Sequence, residues 1–161
     1  MAAFDAFLKI EGIPGESTDK VHYKEIEVLS FHWGISRSGS GGSGGRGRAQ
    51  IQDFQIVKHV DAATPLLFDA VCSGQSIKEA VFTVRKATEG ASDFYKVQFQ
   101  DVLISSAAPA GTAGGEDLPM EQVSLDFGAV EIEYTKQNPN GTPGETVQSD
   151  CTTRRGRFNS E

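Results

Sequence analysis

Residues 21–35, VHYKEIEVLSFHWGI, read as one long strand in which the apolar side chains change face part-way along. One parity holds Ile26 and Val28, and the other holds Leu29, Phe31, Trp33 and Ile35. Because successive side chains of a strand point to opposite faces, a change of parity needs a bulge or a sharp bend. We therefore expect the strand to turn a barrel corner between Val28 and Leu29.

The same change of parity recurs later in the chain, in residues 121–134. One face of the expected strand holds Val123, Leu125 and Phe127, and the other holds Val130, Ile132 and Tyr134. Gly128 stands at the switch, and glycine is favoured at such bends because its backbone is the least restricted. A flat strand of a dozen residues would span about 40 Å, which is too long for so small a domain. This strand too is expected to wrap round a corner.

The remaining periodic segments predict a mainly β chain. Two-residue periodicity indicates further strands at residues 4–10, 50–60, 77–87 and 94–106. One short α-helix is predicted over about Thr64–Ser73, with Thr64 as N-cap and Pro65 at the first helical position. Gly74 is expected to close the helix at its C-terminus.

The size and charge of the chain exclude several classes of function. A chain of 161 residues fits one domain and can bury a core without a disulfide or a metal. With 15 basic and 22 acidic side chains, its formal charge of −7 argues against duplex DNA and anionic membranes as partners. No stretch approaches the ~20 apolar residues of a membrane helix. The first residues also lack the pattern of a cleavable signal peptide. We expect no nucleic acid partner and no membrane insertion.

Residues 34–48 form a glycine-rich segment with almost no apolar side chains. Gly39, Gly41 and Gly44 satisfy the spacing G-x-G-x-x-G, but the residues that follow have the period of a strand, whereas dinucleotide binding needs a helix there. The arginines of the segment lack the interleaved aromatic side chains that stack on nucleic acid bases. A mobile interaction loop is therefore favoured over a nucleotide or RNA site.

No arrangement of reactive side chains indicates catalysis or metal binding. The three histidines, His22, His32 and His59, lack the helical spacing and the neighbouring ligands of a metal site. Cys72 has no close cation to activate its thiol, so it is expected to be a buried packing residue of the helix. Cys72 and Cys151 have no CxxC spacing. The sequence thus predicts no catalytic residue, no metal site and no cofactor.

The last part of the chain differs in character from the rest. Beyond Asn138 it is rich in turn-forming residues, and Val147 and Phe158 are its only clear apolar anchors. We therefore divide the chain into a folded domain over residues 1–137, which includes the glycine-rich segment, and a turn-rich, loosely held tail over residues 138–161.

Several motifs, taken in order over residues 4–136, match a known family. They are Phe7–Ser17 (FLKIEGIPGES), His22 with Glu25–Ser36 (EIEVLSFHWGIS), Thr64–Phe68 with Cys72–Gly74, Val81–Ala87 (VFTVRKA), and Gly114–Pro119 leading into Val123–Tyr134. The combined pattern resembles the Hcp family, the haemolysin co-regulated proteins that form the tube of bacterial type VI secretion systems.

The resemblance implies a small antiparallel β-barrel with bent long strands and one short helix, in agreement with the periodicity. It implies a structural subunit without enzymatic activity, which forms hexameric rings that stack into a hollow tube with effector cargo in the lumen. The implied partners are further copies of the chain, the sheath, spike and baseplate proteins of the system, and the effectors. Such a subunit would begin in the bacterial cytoplasm and leave the cell without a cleavable signal peptide.

By position, the glycine-rich segment corresponds to the extended segment that the family uses between rings. The expected ring-stacking residues are Arg37, Ser38, Gly39, Ser40, Gly41, Gly42, Gly44, Gly45, Arg46 and Arg48. Glycine suits a loop that orders only on docking. Ser30 and His32 alternate with Phe31 and Trp33, which should face the core, so they are expected on the opposite face. That face either lines the lumen and meets cargo or simply faces solvent.

The family typically ends in a Gly-Trp/Tyr-Asp strand, whereas this chain has SDCTTRR at residues 149–155. The alternative function is a monomeric small β-barrel that binds a ligand inside. Phe31, Trp33 and Phe127, which are expected to point inward, would fill such a barrel and argue against it. A hydrolase is the least favoured interpretation, because no nucleophile and base can be paired.

Overall fold

The computed structural model describes residues 4–39, 46–87, 92–115 and 117–152, apart from the side chains of residues 38–39 and 46–48. These ranges contain eleven strands and one helix. The strands are β1 (Phe4–Ile10), β2 (Ile26–Val28), β3 (Ser30–His32), β4 (Ile35–Gly39), β5 (Arg46–Ile51), β6 (Phe54–His59), β7 (Ile77–Lys86), β8 (Asp93–Ala110), β9 (Met120–Asp126), β10 (Ala129–Gln137) and β11 (Pro143–Thr152). The helix α1 spans Ala63–Ser73. The expected mainly β class is confirmed.

Nine of these strands form one antiparallel sheet. Its main path runs β2-β1-β7-β8-β9-β6-β3, and β10 lies between β8 and β11. The long strand β8 belongs to both halves of the sheet, since residues 93–102 pair with β7 and residues 103–110 pair with β9. β4 and β5 form a separate two-stranded antiparallel sheet. β8 is therefore the element that joins the two halves of the fold.

The expected corner at Val28-Leu29 is confirmed. β2 pairs with β1 at one end of the main path, and β3 pairs with β6 at the other end. Leu29 lies between them, and its backbone N–H donates to Val57 O at 2.8 Å. Its side chain points outward and is 46 % exposed. One bent segment of chain therefore reaches both ends of the hydrogen-bonded path.

The barrel expected from the sequence needs one correction. Within the described residues no ladder joins β2 to β3, so the sheet is not closed by hydrogen bonds. The reason is that β2 and β3 are consecutive pieces of one bent strand, and two such pieces cannot lie side by side. The covalent chain at Leu29 connects the two ends instead.

The second corner lies between β9 and β10, as the second change of parity predicts. The Gly128 N–H donates to the carbonyl oxygens of Gln100 at 2.9 Å and Asp101 at 3.2 Å. Asp101 itself has φ of 53°, in the left-handed region that residues with a side chain rarely adopt. β8 and the β9-β10 segment thus change partners at the same place.

The helix confirms one predicted cap and corrects the other. Gly74 has φ of 64°, and its N–H donates to Ala70 O at 3.0 Å. Thr64 is not the N-cap: the helix begins at Ala63, and the N-cap is Ala62, two residues before the predicted position, with no side-chain cap. The Thr64 hydroxyl instead accepts the Asp61 N–H at 3.0 Å, and Asp61 Oδ1 accepts the Ala63 N–H at 2.9 Å.

Aromatic side chains fill the space between the two halves of the sheet. Phe54 is fully buried, and its ring centroid lies 4.9 Å from those of Phe82 and Phe99. Trp33 packs edge-on against Phe54, Phe99 and Phe127, at 5.8, 5.8 and 6.1 Å between centroids. Such edge-to-face contacts add to the energy of burial alone. The interior that a ligand-binding barrel would keep open is occupied by these rings.

A buried ion pair holds the start of α1 against the sheet. Lys58 of β6 and Glu121 of β9 are cross-strand partners with fully buried side chains, and Lys58 Nζ lies 3.0 Å from Glu121 Oε2. Asp61 Oδ1 lies 2.8 Å from the same ammonium group. The Thr64 hydroxyl donates to Glu121 Oε2 at 2.6 Å. Sheet and helix are therefore joined by charge as well as by apolar packing.

The strand β11 lies in the segment that the sequence predicts to be a loosely held tail. It pairs with β10 along its length and forms the edge of the sheet. Most of its side chains are exposed, so the backbone ladder rather than an apolar face holds it. Hydrophobic periodicity cannot reveal a strand whose two faces are both polar. Residues 153–161, the rest of the expected tail, lie outside the described residues.

Candidate functional site

One broad surface of the fold carries Ser30 and His32. Both side chains are exposed, on the side of β3 opposite to Phe31, which packs against the core. Directly opposed residues of an antiparallel ladder share a face, so the pairing extends this surface across β6, β9 and β8. Its members, here called the polar face, are Ser30, Val57, Gln122 and Ala108 in one row and His32, Gln55, Ser124 and Ser106 in the next.

Hydrogen bonds connect the polar face without the help of ion pairs. Gln122 Nε2 donates to Gln55 Oε1 at 3.4 Å, and the hydroxyl groups of Ser106 and Ser124 are in contact. A bulge before Ser106 brings Ser105 to the same place, where its hydroxyl donates to Asp53 Oδ2 at 2.7 Å and lies 3.0 Å from Ser124 Oγ. None of the eight defining residues is Asp, Glu, Lys or Arg. These eight residues offer neutral donors and acceptors to solvent, and the Asp53 carboxylate adjoins them through the Ser105 hydroxyl.

The sequence predicts only Ser30 and His32 of this face. Gln55 and Gln122 alternate with the core residues Ile56 and Val123, so the parity of their strands could have identified them. Ser106 could not be identified in this way, because the bulge shifts the alternation of β8. The parity of the strands also does not show which strands are neighbours, because that is decided by the hydrogen-bonded ladders.

The described parts of the glycine-rich segment belong to two paired strands, β4 and β5, where the sequence predicts a loop. In the ladder of β4 with β5, Ile35 lies opposite Ile51 and Arg37 lies opposite Ala49. We call these two strands the β4–β5 arm. A ladder satisfies backbone polar groups without needing an apolar face, which is why apolar patterning does not predict it.

Only part of the expected ring-stacking set lies in the described residues. Arg37 is exposed on β4. The backbones of Ser38, Gly39, Arg46 and Arg48 belong to the two strands. Outside the described residues are Ser40, Gly41, Gly42, Gly44 and Gly45.

A separate cluster lies on the outer side of the sheet, where residues 12–25 cross β1. Phe7 does not belong to the main core, yet it is only 5 % exposed, because His22 stacks on its ring at 4.4 Å between centroids. The Arg85 guanidinium lies 5.1 Å from the same ring and donates two hydrogen bonds to the Asp19 carboxylate. This cluster, here called the His22 clamp, fastens the segment to β1 and β7.

The His22 clamp contains a histidine that faces two carboxylates. Nδ1 lies 2.8 Å from Glu25 Oε2, and Nε2 lies 3.0 Å from Asp93 Oδ1. A neutral imidazole can donate only one of these hydrogen bonds, whereas the imidazolium can donate both. Burial lowers the pKa of His22, but the hydrogen bonds to Asp93 and Glu25 outweigh burial and hold that pKa above its usual value. The hydrogen bonds from Arg85 hold the pKa of Asp19 well below its usual range. The clamp is strongest with His22 protonated and Asp19 ionised.

The two cysteines are free thiols, with Cys72 exposed and Cys151 half-buried. The exposure of Cys72 corrects the burial expected from the sequence. The buried side of α1 is formed by Ala63, Leu67 and Ala70, and Cys72 lies outside that stripe. Across the described ranges no three potential metal ligands come together. The helix found there is also too short and not apolar enough to cross a membrane.

Comparison with known proteins connects these features to a family. Residues 7–134 match the model of the family described as type VI secretion system effector, Hcp. The chain is 41 % identical over 143 residues to Protein hcp1 of Pseudomonas aeruginosa, covering 86 % of this chain and 88 % of that protein. The chain belongs to the Hcp family.

Solved structures of Hcp proteins share the fold. Hcp1 from Salmonella typhimurium matches with a TM-score of 0.78 and 32 % identity, over 94 % of this chain and 95 % of that one. A structure described as a type six secretion system protein matches with a TM-score of 0.88 and 30 % identity, over 93 % and 96 % of the two chains. The resemblance in the sequence motifs is confirmed, and this Hcp chain is a component of a type VI secretion system.

Proposed function

We propose that this Hcp chain is a structural subunit of the secretion tube, without catalytic activity. Six copies form a ring, rings stack into a hollow tube, and the tube is expelled from the cytoplasm with effector cargo in its lumen. The polar face carries the proposal. Its eight defining residues carry no formal charge, most of them are exposed, and the filled core lies directly behind them, which suits the wall of a water-filled channel.

Exposed apolar side chains support assembly of the chain with copies of itself. Val21 and Tyr23, which the His22 clamp holds in place, are 72 % and 64 % exposed, and Phe68 on α1 is 62 % exposed. Large apolar groups left in solvent are a mark of interaction surfaces when they occur together. A ring needs one head-to-tail contact and a stack of rings needs a second, so apolar groups on separate elements fit both requirements.

The composition of the polar face suits reversible retention of a protein cargo. Hydrogen bonds between exposed neutral groups replace hydrogen bonds to water, so each contributes only about 0.5–1.5 kcal/mol. Six copies of Ser30, His32 and their neighbours would surround a cargo with many such weak contacts. Cargo held in this way is released once the tube disassembles and its subunits are diluted.

Light scattering after size exclusion, at two protein concentrations, tests the ring and the stack. We expect a mass of six subunits, with longer species at the higher concentration. Deletion of residues 39–45 removes the residues between Ser38 of β4 and Arg46 of β5, so the six-subunit species should remain and the longer species should disappear. A single monomeric species at both concentrations would contradict the proposal and favour the ligand-binding barrel.

Export and cargo retention are tested in cells that carry the secretion system. We expect the chain in the culture medium, and its loss from the medium when the sheath gene is deleted. Ser30→Trp should lower the cellular amounts of effectors of the same system, measured by quantitative mass spectrometry, because it crowds the polar face. Gln148→Trp on the exposed edge strand β11 is the matched control. Equal effects of both substitutions would contradict the cargo role of the polar face.

A further inference from the structure

The loop that joins β8 to β9 forms an open apolar groove. Its lining residues are Pro109, Ala110, Gly111, Thr112, Ala113 and Pro119, and its volume is about 530 Å³. Leu118 and Met120, on either side of Pro119 in the chain, are 68 % and 41 % exposed. The Val60 N–H donates to Pro119 O at 2.9 Å, which fixes this side of the loop to the end of β6. This groove, here called the 109–119 groove, is open to solvent and is fixed to the sheet on one side.

The 109–119 groove and the β4–β5 arm lie at opposite ends of one sheet. The arm leaves the sheet where the Gln52 N–H donates to Gly34 O at 2.9 Å, next to Phe54 at the start of β6. The groove adjoins Met120, which pairs with His59 at the end of β6. The length of β6 separates the two features by about 17 Å, at ~3.3 Å per residue. A subunit with a projection at one end and a groove at the other can join its copies head to tail.

The two ends also carry opposite charges. Residues 34–52 contain three arginines and no acidic residue. Residues 109–119 contain Glu116 and Asp117 and no basic residue. Complementary potentials guide two surfaces together and fix their orientation. The charges favour contact between the arm of one copy and the groove of another, and they oppose contact between two arms or between two grooves.

The arm has an apolar side to match the groove. Ile35 is 59 % exposed, and it lies directly opposite Ile51 in the ladder, so the two side chains share a face. Ile51 is half-buried against the core, so Ile35 is the exposed member of the pair. Contact between Ile35 and Leu118 would remove apolar surface of both copies from water. Apolar contact at the centre and opposite charges at the rim is the usual composition of a specific interface.

We propose that the 109–119 groove receives the β4–β5 arm of a second copy of this chain, located in the next ring. The inference rests on the proposed stacking of rings and names the surface that the arm meets. Six equivalent contacts then join two rings. A change of about twofold at each contact therefore multiplies to about 60-fold in the affinity between rings.

Cross-linking between rings tests the contact. In a C72S/C151S background, rings that carry Ser36→Cys on the arm are mixed with rings that carry Thr112→Cys in the groove. A short bismaleimide reagent should then join one subunit of each kind covalently. Rings with Gln148→Cys replace the Thr112→Cys rings as the matched control, since Gln148 is exposed on β11. Equal cross-linking with both partners, or none with Thr112→Cys in samples that form long species, would overturn the groove.

Charge reversal at Arg37 and Asp117, which are both exposed, provides an independent test. Arg37→Glu and Asp117→Lys should each weaken stacking at low salt by at least tenfold, and the double variant should recover most of it. Light scattering on the same samples shows whether rings form. If the unaltered protein forms no six-subunit species, the proposed function is wrong. If rings form and stack equally well with and without the two substitutions, only the contact between arm and groove is wrong.

Discussion

The two sides of the β1-β7 pair are buried by different forces. On the inner side, Leu8 and Phe82 are partners in register and lie fully buried in the main core. On the outer side, Phe7 and Thr83 are also partners in register and nearly as buried, but the His22 clamp covers Phe7. Apolar packing is nearly independent of pH, whereas a contact made by ionised groups is not. The two sides are thus about equally buried for different reasons, and only the contacts on the outer side depend on pH.

The largest expected effect is on the inner side. Phe82→Ala removes a fully buried ring that contacts Phe54 at 4.9 Å, so we expect a loss of about 3–5 kcal/mol in the free energy of unfolding. Urea titration followed by tryptophan fluorescence measures this, since Trp33 lies in the same aromatic cluster. The loss should be the same at acidic and alkaline pH within the range in which the protein folds.

The same deletion on the outer side should cost less. For Phe7→Ala we expect a loss of about 2 kcal/mol, because the segment that covers Phe7 can settle into the space more easily than a packed core can. Hydrogen exchange should rise in residues 12–25 and remain unchanged in β8. A loss as large as that of Phe82→Ala would contradict the distinction between the two sides.

The pH dependence of stability should come from the His22 clamp. The pKa of His22 is raised in the folded protein, so its stabilising contribution is complete below the unfolded pKa of ~6.5 and is lost as pH rises through the folded pKa. We expect His22→Gln to be about 1–2 kcal/mol less stable than the original chain in mildly acidic solution, and the difference to shrink as pH rises. Urea titrations over this pH range provide the measurement, and parallel pH profiles would refute it.

Asp19 should act at the opposite end of the pH range. Its pKa is lowered in the folded protein, so its contribution is present above the unfolded value near 3.8 and is lost as pH falls below it. Asp19→Asn should therefore flatten the acid limb of the stability profile. Glu16→Gln, at an exposed position of the same segment, is the control and should leave the acid limb unchanged.

The smallest effect is expected at an exposed ion pair. Lys136 Nζ lies 3.0 Å from Glu145 Oε2, with the two side chains 57 % and 71 % exposed. Water and salt screen such pairs, and ordering two long side chains offsets most of the attraction. Glu145→Gln should leave the unfolding midpoint unchanged within measurement error. A clear loss would mean that the edge strand β11 depends on side chains more than on its ladder.

Much of the fold can be predicted from local pattern. The two changes of parity located both corners, because alternation within a strand is a property of the chain itself. The helix could also be predicted, although the Thr64 hydroxyl accepts a hydrogen bond from Asp61 instead of capping the first turn. The arm and β11 could not be predicted from local pattern, because these strands lack an apolar face and are held by their backbone ladders.

The class of the fold, the positions of its corners and its family can be predicted from the amino-acid sequence, since these depend on alternation and on local motifs. Which side chains stand together depends on the tertiary structure. The rows of the polar face bring together residues that lie up to 92 positions apart in the chain, such as Ser30 and Gln122, which both pair with Val57. The His22 clamp likewise joins His22 to Asp93. Such juxtapositions arise from the register of distant strands, and no local pattern encodes that register.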